Sequence, residues 1–186
     1  MRLFINGRLL FSLAFQFFIV VCCAEDSHKP KIVVHTKPAI YFEINDHVFH
    51  LREKNLSAID ALCGNSQTTK FNGEARHFYK EAGLAVYTNA EGETNMVEVA
   101  LNEPPVEQYR NYRTNDWRIF AHATLDGRCD SSANIDAVRR LYGEPLEDFS
   151  PELLNYRIGD RLLRLWFDAK SSKLAVIEIM TTQSSR

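Results

Sequence analysis

Apolar and polar positions alternate over short stretches from residue 40 onward, and this pattern predicts β-strands. Ile40, Phe42 and Ile44 are spaced two apart, so their side chains share one face of an extended chain. Asn45-Asp46 follows as a turn pair, and residues 47–51 run back as a second strand. The pattern therefore predicts a β-hairpin over residues 40–51.

After the hairpin, the spacing of apolar residues changes from every second residue to helical intervals. Asn55 is a helix-capping residue type, Leu56, Ile59 and Leu62 recur at helical intervals, and Gly64 ends the pattern. The polar stretch 65–74 reads as a loop. Three strand-like runs follow, separated by turn chemistry; they are residues 76–80, 84–88 and 96–101.

The second half of the chain repeats this order. A strand is predicted over 117–124, a turn at Asp126-Gly127, and a helix that begins at Ser131 or Ser132 and ends at Gly143. A polar loop and three more strands complete the half; the strands are residues 154–158, 162–167 and 174–180. Two local matches support the repeat: residues 59–62 resemble 135–138, and 97–99 resemble 177–179.

The pattern predicts an α+β fold made of two tandem units, each an antiparallel sheet with one helix packed on one face. The first unit spans 39–102 and the second spans 117–182. Residues 25–38 read as an N-terminal tail in which Ile32-Val33-Val34 can add an edge strand, and 103–116 as a linker that Pro104-Pro105 stiffens.

The N-terminus has the order of features typical of a secretory signal peptide over residues 1–24. Arg2 and Arg8 precede an apolar run at 9–21, and Ala24 supplies a small residue before the acidic pair at 25–26. The run is shorter than a membrane-spanning helix requires. An uncleaved anchor is the alternative, and a lipid on Cys22 or Cys23 is disfavoured because Val21 precedes the pair.

Charge and cysteine content narrow the function classes. The whole chain has a formal charge of −2. A mildly acidic chain without a basic stripe is not typical of a protein that binds nucleic acid or anionic membrane surfaces. In an oxidising compartment, Cys63 and Cys129 are predicted to form a disulfide, with two separate buried thiols as the alternative. No His or second Cys lies at metal-ligand spacing beside either cysteine.

The sequence nominates no catalytic, cofactor-binding or metal-binding residue. It contains no nucleophile elbow, HExxH, CxxC pair, P-loop or dinucleotide glycine pattern. His47 and His50 would face opposite ways on a strand, and His77 and His122 stand singly. The acidic runs 91–93 and 144–148 read as solvated loops, with a pair of glycosidase carboxylates as the sharper alternative.

Residues in and just after the linker form the strongest candidate for a contact surface. Tyr, Trp and Arg dominate protein–protein hot spots. The candidate partner-binding residues are Tyr109, Arg110, Tyr112, Arg113 and Trp117. The alternative is that these aromatic residues seal the join between the two units.

Three stretches carry a family resemblance: residues 41–51, 56–62 and 79–87. Their hairpin, their helix ending in a Gly and their Tyr…Gly-Leu strand pair resemble an uncharacterised family of exported bacterial domains that often occur in tandem. That family is similar to immunity proteins for effectors of interbacterial secretion systems, and its layout is similar to tandem-repeat enzyme inhibitors of the β-lactamase-inhibitor kind. The second unit departs from the pattern, since it lacks the Asn-Asp hairpin and is predicted to have a longer helix.

The resemblance implies a periplasmic immunity or inhibitor protein that binds a toxic effector protein and is not itself an enzyme. No cofactor is expected. An envelope accessory or assembly module without catalytic activity is the alternative. A hydrolase without a recognisable motif is a third interpretation, and it predicts a deep pocket that holds a perturbed His or carboxylate.

Overall fold

The computed structural model describes residues 29–102, 120–150 and 152–182. The predicted signal peptide and the predicted linker lie outside the described residues. In the first half the elements are β1 (Lys31–His35), β2 (Tyr41–Ile44), β3 (His47–Phe49), α1 (Leu56–Cys63), β4 (Gln67–Phe71), β5 (Glu74–Tyr79), β6 (Leu84–Thr88) and β7 (Thr94–Ala100). In the second half they are β8 (His122–Leu125), α2 (Ile135–Tyr142), β9 (Glu147–Ser150), β10 (Leu153–Ile158), β11 (Arg161–Phe167) and β12 (Leu174–Thr181).

The described strands form two sheets. The larger has eight strands in the order β4-β5-β6-β7-β12-β11-β10-β9, and every neighbouring pair is antiparallel. The smaller has four strands in the order β3-β2-β1-β8, in which β1 is antiparallel to β2 and parallel to β8. Each half of the chain contributes four consecutive strands to the large sheet, and β7 and β12 meet at its centre.

One continuous apolar core joins the two sheets and both helices. Phe42 of the small sheet, Leu84 and Leu163 of the large sheet, Ile59 of α1 and Val138 of α2 belong to the same buried cluster, and each is completely shielded from solvent. Burial of apolar surface on this scale is the main favourable contribution to folding. The helices are short, so their stability comes from this packing rather than from their own hydrogen bonds.

The two helices match each other in length and in the glycine that follows each of them. Each has eight residues, and each is followed by a glycine with positive φ, at Gly64 (81°) and Gly143 (79°). The Asn134 side chain accepts a hydrogen bond from the Ala137 backbone N–H at 2.9 Å, which caps α2. The Asn55 side chain instead donates to the His50 carbonyl at 2.7 Å and so fixes the chain that enters α1.

The α+β class predicted from the sequence is confirmed, with β-structure predominating. The predicted hairpin at Asn45-Asp46, helix α1 and strand β6 lie where the apolar spacing placed them. The arrangement of one sheet per unit is wrong, because β7 pairs with β12 over residues 96–100 and joins the strands of both halves into one sheet.

Five further details of the prediction are corrected. The stretch 65–74 contains β4, and the second predicted polar loop contains β9. Helix α2 begins at Ile135 rather than at Ser131 or Ser132, because Asn134 provides the cap, and α2 is no longer than α1. The N-terminal tail contains β1, which lies between β2 and β8.

The helices match in a different register from the one that the sequence suggested. Aligning Asn55 with Asn134 and Gly64 with Gly143 places the buried Ile59 opposite Val138. In the described part of the chain, no helix is both long enough and apolar enough to cross a membrane.

Candidate functional site

The β4–β5 hairpin stands out at one edge of the large sheet. Its two-residue turn is Asn72-Gly73, with φ of 44° and 81°, which matches the twist of the flanking strands. All five residues of β4 are exposed, and the Phe71 side chain at the tip is 41% exposed. An exposed aromatic ring at the end of a rigid hairpin is a typical anchor for a protein contact.

An open groove of about 490 Å³ lies beside this hairpin. It runs between the β4–β5 turn and the loop that joins β6 to β7. Phe71 and Leu56 provide its apolar surface, and Lys70, Glu74 and Asn89 provide polar groups at its margins. The residues that line it are Leu56, Lys70, Phe71, Asn72, Gly73, Glu74, Ala75, His77, Thr88, Asn89, Ala90 and Gly92.

His77 forms part of the groove wall and links three strands. The imidazole is 7% exposed, its Nδ1 lies 3.1 Å from Thr68 Oγ1 of β4, and its Nε2 lies 3.2 Å from Thr88 Oγ1 of β6. Burial lowers the pKa of His77; the nearby Asp60 carboxylate opposes this shift and Lys70 adds to it. The ring is therefore held neutral, and it fastens the edge strand to the sheet.

A second polar cluster lies where helix α1 meets β5. The Tyr79 hydroxyl donates to Asp60 Oδ1 at 2.8 Å, and burial together with this carboxylate raises the pKa of the phenol. Burial, with a further contribution from Asp60, raises the pKa of the Cys63 thiol to about 12. A thiol with this pKa is protonated at neutral pH, so Cys63 is a poor nucleophile.

Asp126 connects the small sheet to helix α2. Its Oδ1 accepts from the Thr36 backbone N–H at 2.7 Å, and its Oδ2 accepts from the Thr36 hydroxyl at 2.5 Å. The Tyr142 hydroxyl donates to the same Oδ2. Burial first, and then the Asp126 carboxylate, raise the pKa of Tyr142. These bonds fix the end of β1 against the last turn of α2.

Two buried glutamates lie opposite each other at the centre of the large sheet. Glu98 of β7 and Glu178 of β12 are direct partners in the register and are 0% and 1% exposed. The Tyr87 hydroxyl donates to Glu98 Oε2 at 2.8 Å, and Arg164 Nη1 lies 3.9 Å from Glu178 Oε2. Burial of two facing carboxyl groups is costly unless neighbouring polar groups compensate for it.

The structure does not contain the predicted disulfide. Cys63 and Cys129 are both free thiols, half-buried and buried respectively. Cys63 lies near Asp60 at the end of α1, and Cys129 lies near Asp126 in the second half. The pairing of the two cysteines stays a prediction.

The other candidate residues fall into two groups. The predicted partner-binding residues Tyr109, Arg110, Tyr112, Arg113 and Trp117 lie outside the described residues, so that assignment stays a prediction. Histidines at 47 and 50 lie on or beside β3, and His50 contacts the Tyr41 ring at 5.7 Å between centroids. Within residues 29–102, 120–150 and 152–182, no three His, Cys, Asp or Glu side chains converge as a metal site would require.

Sequence reasoning missed the features that depend on pairing between strands. The sequence does not predict the groove beside Phe71, because the polar pattern of residues 65–74 indicates a loop and not the β4–β5 hairpin. The glutamate pair did leave a signal: each Glu has a β-branched residue on both sides, in the matching segments 97–99 and 177–179. A charged residue in the middle of an otherwise buried strand is a reason to look for a compensated buried charge.

The chain matches no protein-family model and no curated protein sequence. Among solved structures, it is similar to a cysteine-rich secretory protein from Staphylococcus aureus subsp. aureus Mu50, with 12% sequence identity and a TM-score of 0.39. The match covers 69% of this chain and 44% of that protein, so the chain spans less than half of its length. A similarity at this TM-score supports neither a fold assignment nor a function.

Proposed function

We propose that this chain is an exported, periplasmic binding protein of the immunity or inhibitor type, which neutralises a toxic effector protein by occupying its surface. The observation that carries the binding role is the β4–β5 hairpin, with the exposed Phe71 ring beside an open groove of about 490 Å³. The export step rests on the signal-peptide pattern of residues 1–24, and the effector as partner rests on the family resemblance.

The chemistry of this surface suits recognition of a protein. Phe71 offers apolar area that a partner can cover, and the groove floor adds Leu56 and Ala75. Lys70 and Glu74 at the margin offer opposite charges that can fix the orientation of a partner. The two-residue turn and the His77 contacts hold the hairpin in one conformation, which reduces the entropy lost on binding.

We also infer that the two halves are copies of one α+β unit. Helices α1 and α2 align without a gap from their capping Asn to their terminal Gly. Four strands follow each helix. In the large sheet, each strand of the first half has its counterpart from the second half at the same distance from the centre. The facing pair Glu98 and Glu178 marks the symmetry axis. This arrangement agrees with the tandem inhibitors that the sequence resembles.

The test is a comparison of two variants in an affinity capture. The processed protein, tagged after Arg186, is purified from its native host and the co-purifying proteins are identified. Phe71→Ala removes the proposed anchor, whereas Val48→Ala removes a side chain that is 51% exposed on the small sheet. We expect one stoichiometric, effector-like protein with the wild type and with Val48→Ala, and its loss with Phe71→Ala.

Other outcomes contradict parts of the proposal in different ways. Retention of the partner by Phe71→Ala, with loss in Tyr112→Ala, would move the contact surface to the predicted linker. Recovery of cell-wall machinery would favour the accessory-module interpretation. Failure to recover any partner, with folding of the wild-type protein verified by circular dichroism, would contradict the proposed function.

A further inference from the structure

Along the outer edge of β4, the backbone N–H and C=O groups of alternate residues point away from the sheet. A two-residue turn makes Phe71 and Glu74 the first hydrogen-bonded pair of the hairpin, and such pairs then alternate along the strands. Thr69 lies two residues from Phe71, so its N–H and C=O face β5. Thr68 and Lys70 occupy the alternate positions, and their N–H and C=O groups face outward.

We propose that β4 pairs antiparallel with β4 of a second copy of this chain, about a twofold axis that passes beside Thr69. In this register, Thr68 lies opposite Lys70 of the second copy. The outward N–H and C=O groups of both residues then form reciprocal hydrogen bonds across the axis. The large sheet continues through the dimer. This proposal does not depend on the identity of the effector partner.

The side chains of β4 suit this register. Thr69 faces Thr69 of the second copy, and facing threonines are a favourable cross-strand pair. The single charged residue of β4, Lys70, faces a threonine rather than a second lysine. Phe71 faces Gln67 of the second copy at the end of the ladder, a pair of one apolar and one uncharged polar residue. A register centred on Lys70 would instead place two lysines opposite each other.

The exposure of β4 makes the edge available to a second copy. All five residues of the strand are exposed in the folded chain, whereas the neighbouring strand β5 carries intermediate and buried residues. An exposed edge strand is a template for pairing with another chain. The ladder is short and buries less surface than a standard stable interface, so we expect reversible, concentration-dependent association.

A cysteine at the axis tests the register directly. Facing residues in a pair without mutual hydrogen bonds have Cα atoms about 4.5 Å apart, within the range that a disulfide spans. We expect Thr69→Cys to form a covalent dimer under mild oxidation. Lys70→Cys is the matched control, because a threonine faces it in the dimer and the new thiols are offset along the strands. The wild type controls for Cys63 and Cys129.

The cross-linking result is decisive in either direction. A covalent dimer from Thr69→Cys, with little from Lys70→Cys or the wild type, supports the pairing. Equal cross-linking of Thr69→Cys and Lys70→Cys indicates random collision and overturns it. A folded Thr69→Cys protein that remains monomeric at the highest soluble concentration also overturns it.

A second measurement removes an outward hydrogen bond without adding a thiol. Lys70→Pro deletes an N–H that does not pair with β5, and an edge strand tolerates proline at such a position. Lys70→Ala retains the N–H. By sedimentation velocity over a concentration series, we expect Lys70→Ala to dimerise and Lys70→Pro to remain monomeric, with unchanged circular dichroism. Equal association of the two variants would contradict the proposed pairing.

Discussion

At Gly83 two segments of backbone come into contact. A Cβ atom at this position would lie 2.4 Å from the Ala121 backbone nitrogen, and φ is 62°, a conformation that favours glycine. Gly127 also has a positive φ, of 63°, but a Cβ there would meet nothing within 4 Å. The two glycines therefore separate the effect of close approach from the effect of backbone conformation.

We predict that Gly83→Ala lowers the free energy of unfolding by at least about 2 kcal/mol, because the chain must move to admit the methyl group. Gly127→Ala should cost only about 1 kcal/mol, since it carries the conformational penalty alone. Urea unfolding of both variants measures the difference. Equal losses would show that the backbone near Ala121 relaxes without cost.

The Asp126 side chain joins the end of β1 to the last turn of α2. Asp126→Asn keeps a residue type that tolerates the φ of 52° at this position but loses the charge-assisted hydrogen bonds from Thr36 and Tyr142. We predict a loss of about 1–3 kcal/mol in the free energy of unfolding.

The control for this substitution is Asp46→Asn, in the turn between β2 and β3. Asp46 is exposed and has a φ of 65°. Thermal unfolding should therefore show little change for the control. If both variants lost the same stability, the contacts of Asp126 with Thr36 and Tyr142 would not be the cause.

At the scale of elements, His77 makes the attachment of β4 depend on pH. The folded state holds the imidazole neutral because burial lowers its pKa, whereas in the unfolded chain it titrates near its ordinary value of about 6.5. Below that pH the unfolded chain binds a proton on His77 more readily than the folded protein does. The stabilising contribution is therefore present above about pH 6.5 and is lost as pH falls toward the folded pKa.

We predict that the wild type loses stability as the pH falls below about 6.5 and that His77→Gln reduces this dependence. His50→Gln is the control, because His50 is an exposed residue next to β3. Denaturant unfolding at several pH values measures the slope for each protein. An unchanged slope in His77→Gln would assign the pH dependence to other groups.

The elements that the sequence predicted well are those with apolar residues in the core. Helix α1 packs against the core at helical intervals, and strand β6 is buried along its whole length. Strand β4 has no buried residue, and its sequence, Gln-Thr-Thr-Lys-Phe, carries no alternation. Pairing with β5 makes it a strand, and that cause lies in another segment. The groove beside β4 was unpredictable for the same reason.

At the scale of the whole molecule, the shared large sheet and the common core imply that the two halves unfold together. We predict that Ile59→Ala, in the first half, costs about 2–5 kcal/mol and lowers the protection of β11 amides, in the second half, against hydrogen exchange. Val138→Ala should lower the protection of β6 amides in the same way. Effects confined to one half would indicate that the halves unfold independently.

The position of β1 has a consequence for the order in which the chain assembles during synthesis. The strand spans residues 31–35, yet one of its two neighbours, β8, does not begin until residue 122. A ribosome must therefore make more than two-thirds of the polypeptide before the small sheet can close. Contacts so distant in sequence form slowly. If the chain is threaded through a translocon from its N-terminus, this delay keeps the emerging segment unfolded and competent for passage.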